Sequence, residues 1–249
     1  MDYLSSVSYI GIGGAGGNMV NRMAKALFFA PTDEKSLLKE WKNHRSANLT
    51  TYLDNILIID REETFSGQDR TINHGLLLKK GVNETLEIRD FISKVSMDTI
   101  VFIIGLGGTH SFDHLTAAIN AAKYFDKRVI VLCTEPFNFE KPSVHTLAQE
   151  AKAELNKRTD IEACFFQNEE IMRVLDKRTS FPDAIKMSDA FLFTAGDILV
   201  NKTDTDNTQY DIEVKVVNTY MECLGCSFHY NNPSDPDHIY AAYMKPVLE

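Results

Sequence analysis

The chain alternates short, continuously apolar stretches with segments in which apolar residues recur at helical spacing. Five apolar stretches are expected to be strands, at residues 7–12, 55–60, 99–104, 128–133 and 161–166. Helical periodicity lies between them, at residues 18–27, 85–95, 114–125 and 144–157. Apolar strands separated by helices indicate a parallel sheet that is covered on both faces. Right-handed crossovers then predict a doubly wound α/β domain with a mostly parallel sheet.

The pattern changes after residue 166. A mostly apolar helical face over 181–200 predicts one long central helix, which a polar loop follows at 201–210. Further helices are expected at 211–221 and 235–244, with a lone strand near 226–230 that has no partner of its own. The pattern predicts an α/β domain at 1–180, the central helix at 181–200, and an acidic loop with a partial second domain at 201–249.

Composition and charge narrow the class of protein. The chain has 249 residues, of which 44% are hydrophobic and 24% charged, as is typical of globular domains. Its net charge of −9 argues against non-specific binding to nucleic acid or to anionic membranes. We see no signal-peptide pattern and no apolar run long enough to span a bilayer. With only 4 cysteines, the sequence predicts a cytoplasmic protein with reduced thiols. Its apolar runs and its net charge predict no transmembrane segment and no nucleic-acid partner.

The strongest local signal is a glycine-rich loop at residues 11–17, which lies between a predicted strand and a predicted helix. Glycine lets the backbone turn sharply and approach a ligand closely. The start of the helix adds free N–H groups and the positive end of the helix dipole. A second loop, at residues 105–111 (GLGGTHS), follows the third predicted strand and is expected at the same edge of the sheet. The two loops together predict a site for a di- or triphosphate, to which Thr109 and Ser111 can add hydroxyl contacts.

The first loop also satisfies the Gly-x-Gly-x-x-Gly pattern of dinucleotide-binding proteins. Such a site requires an acidic residue after the second strand to bind the ribose, and Asp60 is placed for that role. The extra glycines at Gly14 and Gly17, and the second loop, are not needed by a dinucleotide. An NAD-dependent oxidoreductase therefore remains an alternative.

Residues 10–23 (IGIGGAGGNMVNRM) resemble the first phosphate loop of the FtsZ/tubulin family almost residue for residue. Residues 105–109 are similar to a shortened form of the family's signature glycine loop. Residues 134–140 (TEPFNFE) are similar to its Thr-Lys-Pro-Phe-x-Phe-Glu segment. Residues 167–168 and 181–189 match the family's loop after the fifth strand and the start of its central helix. The resemblance covers nearly the whole chain and is closer to FtsZ than to eukaryotic tubulin.

The resemblance implies a GTPase-like domain that binds GTP or GDP, with Mg²⁺ accompanying the nucleotide, and that assembles head to tail with GTP at the subunit contact. The residues implied to hold the phosphates are Gly13, Gly14, Ala15, Gly16, Gly17, Asn18, Gly107, Gly108 and Thr109. Glu140 would contact the ribose, and Asn168 and Asp189 would recognise the guanine. Asp189 stands where the family usually has Asn, and a carboxylate can accept from both N–H groups on the Watson–Crick edge of guanine.

The hydrolysis loop departs from the family pattern. Glu213 occupies the last acidic position, whereas the first two are Thr208 and Tyr210. Asp211 lies nearby and is a candidate to substitute, so Glu213 and Asp211 are the candidate catalytic residues. Val144 also replaces an Arg that contacts the nucleotide in the family. The expectation is slow or absent hydrolysis, and a non-polymerising nucleotide-binding switch or scaffold remains a second alternative.

The predicted second domain is smaller than the family's. The family has an α/β unit with a four-stranded sheet there, and this chain stops about where its second helix ends. We therefore expect a second domain that is either truncated or reduced and completed by another subunit. The Cys-x-x-Cys at 223–226 and His229 supply only three ligands, so no metal site is expected. Cys133 and Cys164 are expected to lie in the core.

Overall fold

A six-stranded parallel sheet organises the part of the chain that the structure describes. The structure is a computed structural model that describes residues 7–29, 55–62, 75–169, 226–229 and 243–246. The strands are β1 (Val7–Ile12), β2 (Ile56–Arg61), β3 (Gly75–Leu78), β4 (Thr99–Gly105), β5 (Arg128–Glu135) and β6 (Glu162–Gln167). All neighbours pair in parallel, in the order β3-β2-β1-β4-β5-β6. The direction of the strand order reverses between β1 and β4, which makes this the place where a ligand is expected.

Helices cover the sheet on both faces. The described residues form four helices: α1 (Gly13–Phe29), α2 (Glu84–Ser93), α3 (Ser111–Tyr124) and α4 (Pro142–Asn156). One core cluster joins α2, α3 and α4 to the face of the sheet that carries Ile10, Phe102 and Val131. Helix α1 contacts β1, β2 and β4, and its described side chains do not belong to that cluster. Helix α1 therefore covers the opposite face, as strand alternation requires.

The predicted α/β fold is confirmed. The prediction for β1 matches the observed bounds. The other four predicted strands begin and end within two residues of the observed strands. Helix α1 begins five residues earlier than predicted, because the glycines of the first loop form its first turn. Strand β3 was not predicted, since its sequence Gly-Leu-Leu-Leu is too short to show a period.

The prediction of an unpaired strand near residues 226–230 is wrong. Strand β7 (Cys226–His229) pairs in antiparallel fashion with β8 (Tyr243–Pro246). The helix predicted over 235–244 therefore cannot extend through Tyr243. A strand requires a partner for its backbone N–H and C=O groups, and this requirement outweighs the weak helical periodicity of the segment.

Several predicted elements lie outside the described residues. They are the central helix at 181–200, the polar loop at 201–210, the helix at 211–221 and the proposed domain boundaries. Within the described ranges, no helix combines the length and the apolar character needed to cross a membrane.

Candidate functional site

A cavity of about 580 Å³ opens at the carboxyl edge of the sheet, where β1 and β4 meet. Both glycine loops line it, together with the segment after β5, the start of α4 and Asn168. Its volume falls within the range of roughly 300–1,000 Å³ that small-molecule sites occupy. The topology therefore places one sizeable cavity at the expected position for a ligand in a doubly wound sheet.

The glycines of the first loop serve different purposes. A Cβ at Gly11 would overlap the carbonyl oxygen of Gly16, and a Cβ at Gly16 would overlap that of Ile103. These two glycines allow α1 to pack closely on the sheet. Gly13 has a φ of +66°, which favours glycine for conformational reasons. Gly14 is exposed, lines the cavity and has no atom within 4 Å of an added Cβ, so its missing side chain leaves space for a ligand.

The first turn of α1 carries an uncompensated positive dipole end. The first four N–H groups of a helix have no partner within it, and α1 has no acidic residue in that turn. Gly14, Ala15 and Asn18 of α1 line the cavity. A phosphate placed here would be held by backbone N–H groups and by the dipole.

The second loop brings another helix start to the same cavity. Gly107 has a φ of +95° and packs against Val144, while the N–H of Leu106 donates to the carbonyl oxygen of Thr134 over 2.9 Å. Helix α3 begins at Ser111, and the side chain of the preceding His110 makes no capping hydrogen bond. The first N–H groups of α3 are therefore not capped by the residue that precedes them.

Ser111 lies where the two loops meet. A Cβ at Gly13 would come within 2.9 Å of the Ser111 Cβ, and a Cβ at Gly108 would overlap the Ser111 hydroxyl oxygen. Ser111 also lines the cavity. The position of the first residue of α3 thus determines how both glycine loops pack.

The structure brings together predicted site residues from four separate stretches. Those that line the cavity are Gly14, Ala15, Asn18, Gly107, Gly108, Glu140 and Asn168. Four others belong to the loops without lining the cavity: Gly13, Gly16 and Gly17 are buried, and Thr109 is exposed. Asp189, Asp211 and Glu213 lie outside the described residues.

The segment after β5 forms a braced wall of the cavity. The N–H of Phe137 donates to Oε1 of Glu140 over 2.9 Å, so this carboxylate closes its own turn. The N–H of Asn138 donates to Oε2 of Glu169 over 3.1 Å. The ring of Phe137 stacks on that of Phe139, with centroids 5.2 Å apart and planes at 14°. These contacts orient Glu140 before any ligand binds.

Two charged residues of the cavity wall were missed by the sequence analysis. Arg22 lies one helical turn after Asn18 on α1, and i, i+4 spacing could have identified it. Glu135 lines the cavity and pairs through Oε1 with Nζ of Lys152 at 2.6 Å. Lys152 is 17 residues away in sequence, and no local pattern links the two.

Two thiols, those of Cys133 and Cys164, lie in the core of the α/β domain. Cys133 and Cys164 are buried, as predicted. Burial, with a smaller contribution from Cys164 and Glu135, raises the pKa of the Cys133 thiol well above its usual range. A buried thiol of this kind stays protonated and unreactive. Among the described residues, no group of three or more His, Cys, Asp or Glu side chains could hold a metal ion.

The chain is similar in sequence to curated FtsZ proteins. No protein-family model matches the chain. The chain is 27% identical over 200 residues to the cell division protein FtsZ of Magnetospirillum gryphiswaldense, covering 78% of this chain and 33% of that protein. It is 26% identical over 195 residues to the FtsZ of Rickettsia typhi, covering 75% of this chain and 39% of that protein. The chain therefore spans between a third and two fifths of the length of these curated relatives.

Solved structures share the fold. An FtsZ dimer from M. jannaschii superimposes with a TM-score of 0.54 at 18% identity, covering 85% of this chain and 60% of that one. CetZ from Methanosaeta thermophila gives a TM-score of 0.56 at 10% identity, covering 93% and 64%. Together with the sequence matches, these structures confirm the predicted resemblance to the FtsZ/tubulin family.

Proposed function

We propose that this chain, a divergent FtsZ/tubulin-like protein by sequence and fold, binds GTP or GDP in the cavity between β1 and β4. It assembles head to tail with the nucleotide at the subunit contact, and it hydrolyses GTP slowly or not at all. The observation that carries the proposal is the meeting of two glycine loops and two helix N-termini, those of α1 and α3, at one cavity.

The phosphate end of the nucleotide is assigned to the glycine loops. Backbone N–H groups at the starts of α1 and α3 suit an anion, and the open space at Gly14 lets it approach. Gly107 and Gly108 complete this side of the cavity. Mg²⁺ is usually bound through substrate phosphates rather than by an all-protein cage, so it would enter with the nucleotide.

The nucleoside end is assigned to the opposite wall. Glu140, oriented by its hydrogen bond to the Phe137 N–H, would accept from a ribose hydroxyl. Asn168 is buried and lines the cavity, and its side-chain amide would recognise the base. Asp189, outside the described residues, is the second base-recognising residue that the resemblance implies.

Assembly is proposed from the relatives. Solved relatives include an FtsZ dimer from M. jannaschii and a GTPγS-bound protofilament of CetZ2 from Haloferax volcanii. Carried over to this chain, such an arrangement would bring the acidic loop of one subunit to the nucleotide of the next. Glu213, with Asp211 beside it, would orient the attacking water there.

Equilibrium binding of labelled GTP tests the nucleotide assignment. Unlabelled GTP and GDP should displace the label, whereas ATP and NAD should compete poorly. Displacement by NAD without displacement by GTP would favour the oxidoreductase alternative and end the proposal. Asp60, the acidic residue that this alternative requires, is buried and is not among the residues that line the cavity.

Sedimentation tests the assembly. The protein at high concentration should pellet with GTP, and less with GDP or without nucleotide. A protein that binds GTP but shows no nucleotide-dependent pelleting would be the non-polymerising switch or scaffold instead.

A further inference from the structure

A cluster of three hydrogen-bonded polar side chains lies beside the second glycine loop, and none of the three lines the cavity. We call Arg61, Glu84 and His114 the clamp. Nε of Arg61 donates to Oε1 of Glu84 over 3.1 Å, and a second guanidinium nitrogen lies 2.9 Å from the same oxygen. Nε2 of His114 lies 3.0 Å from Oε2 of Glu84. Each carboxylate oxygen of Glu84 thus contacts a different partner.

The clamp connects three separate elements. Arg61 is the last residue of β2, Glu84 is the first residue of α2, and His114 belongs to the first turn of α3. The start of α2 is itself fixed, because the Asn83 side chain accepts from the Leu86 N–H over 3.2 Å. Glu84 therefore links the beginning of α3 to the end of β2 and the start of α2.

The buried ring of His114 forms its hydrogen bond with Glu84. His114 is 3% exposed, and its Nδ1 is buried without a hydrogen-bond partner among the described residues. An ionised carboxylate only accepts, so the Nε2–H of His114 donates the hydrogen bond to Glu84. If Glu84 loses its charge, its hydrogen bond to the ring loses charge assistance and weakens.

Burial acts to raise the pKa of Glu84, but hydrogen bonds and charge interactions with His114 and Arg61 outweigh this, and the pKa is lowered overall. Glu84 is consequently ionised at neutral pH and available as an acceptor. The Arg61 and Glu84 side chains are each about a third exposed, so their ion pair by itself contributes little. The part-buried contact to His114 is the part of the clamp that reaches α3.

His114 lies three residues after Ser111, on the same helical turn. Ser111 is the residue around which Gly13 and Gly108 pack, so a small movement of α3 would displace both loops. We infer that Glu84 is a positioning residue for the phosphate half of the site, acting through His114 to fix the first turn of α3. The inference rests on the proposed nucleotide function and adds to it a residue that does not contact the nucleotide.

The test compares Glu84→Gln with Asp90→Asn. Asp90 is on the same helix and also pairs with a cation, Lys94 at 2.6 Å, but both side chains are largely exposed and neither belongs to the clamp. The affinities of the full chain for GTP and for guanosine are measured by competition against labelled GTP. Glu84→Gln should weaken GTP by roughly 2- to 30-fold, the range for residues that act on a site indirectly. It should leave guanosine unchanged, and Asp90→Asn should change neither.

Hydrogen exchange on the protein without nucleotide provides a second readout. The amides of residues 111–115 should exchange faster in Glu84→Gln than in wild type or Asp90→Asn. Glu84→Asp, which keeps the charge but shortens the reach to His114, should lie between wild type and Glu84→Gln in both assays. If Glu84→Gln does not fold, Glu84→Asp is compared with wild type and Asp90→Asn in its place.

An unchanged ratio of GTP to guanosine affinity in Glu84→Gln would overturn the inference, even if the variant melts at a lower temperature. Equal weakening of both ligands is one form of this outcome, because it would indicate general loosening of the cavity. A wild-type protein that binds neither ligand would instead refute the proposed function, and the inference with it.

Discussion

Gly14 and Gly16 lie two residues apart in the first turn of α1, yet the structure gives them opposite roles. An added Cβ at Gly16 would overlap the backbone carbonyl oxygen of Ile103, whereas at Gly14 it would meet no atom within 4 Å. Substitution at Gly16 should therefore damage the fold, whereas substitution at Gly14 should leave the fold intact and act on ligand binding. Adding a side chain at each glycine in turn therefore distinguishes an effect on helix packing from an effect on ligand binding.

The expected sizes follow from these environments. Overpacking against backbone costs about 1–3 kcal/mol, so Gly16→Ala should lower the melting temperature by roughly 2–12 °C in a chain of this length. Gly14→Ala should raise stability by about 0.4–1 kcal/mol, because it restricts the unfolded chain without strain. Gly14→Trp would fill the space in front of the α1 N–H groups. Each hydrogen bond to a charged group contributes about 1.5–3 kcal/mol, so losing two should weaken GTP by at least about 100-fold.

Thermal denaturation and GTP titration of each variant provide the measurement. Leu86→Trp is the control for adding an indole, because Leu86 is 60% exposed on α2 and does not line the cavity. It should leave both the melting temperature and the GTP affinity nearly unchanged. Retention of GTP affinity by a folded Gly14→Trp protein would refute the assignment of the phosphates to this loop. An unaltered melting temperature in Gly16→Ala would refute the packing argument.

Two further predictions concern charge. Glu213→Ala should abolish whatever GTP hydrolysis the protein has while leaving GTP affinity intact, as measured by phosphate release and by titration; unchanged hydrolysis would show that another residue orients the water. The lowered pKa of Glu84 in the folded state means that its contribution to stability is present above the usual pKa of glutamate and is lost as the pH falls through the lowered value. The difference in unfolding free energy between wild type and Glu84→Gln should therefore shrink below about pH 4.3, and a difference that grows on acidification would contradict the sign.

The sheet could be predicted because its strands are apolar on both faces. Val7–Ile12 and Thr99–Gly105 are buried along nearly their whole length, so each forms a continuous apolar run that sequence alone reveals. Strand β3 offers only Gly-Leu-Leu-Leu, and β8 lies in a segment with weak helical spacing. Both strands are defined by the partner they pair with, and pairing between distant segments leaves no local signal.

The two glycine loops of the candidate site, and their meeting at one edge of the sheet, could be predicted from the sequence. Glycine runs after strands identify the two loops, and their convergence follows from parallel pairing of β1 with β4. The sequence could not divide the glycines between packing and ligand access, because that depends on which backbone atom faces each Cα. The clamp could not be predicted from the sequence either, because Arg61 and Glu84 are 23 residues apart and Glu84 and His114 are 30 apart.

The distribution of charge along the cavity wall favours one orientation of a bound nucleotide. The charged residues among the described lining are Arg22, Glu135 and Glu140; Glu135 ends β5 and Glu140 lies in the segment that follows. The two helix N-termini come instead from the glycine loops. A triphosphate turned toward Glu140 would meet a carboxylate, whereas at the loops it meets aligned N–H groups. A net acidic protein can in this way bind a highly charged anion without a cluster of lysines, because the attraction comes from backbone dipoles that the charge count of the sequence does not include.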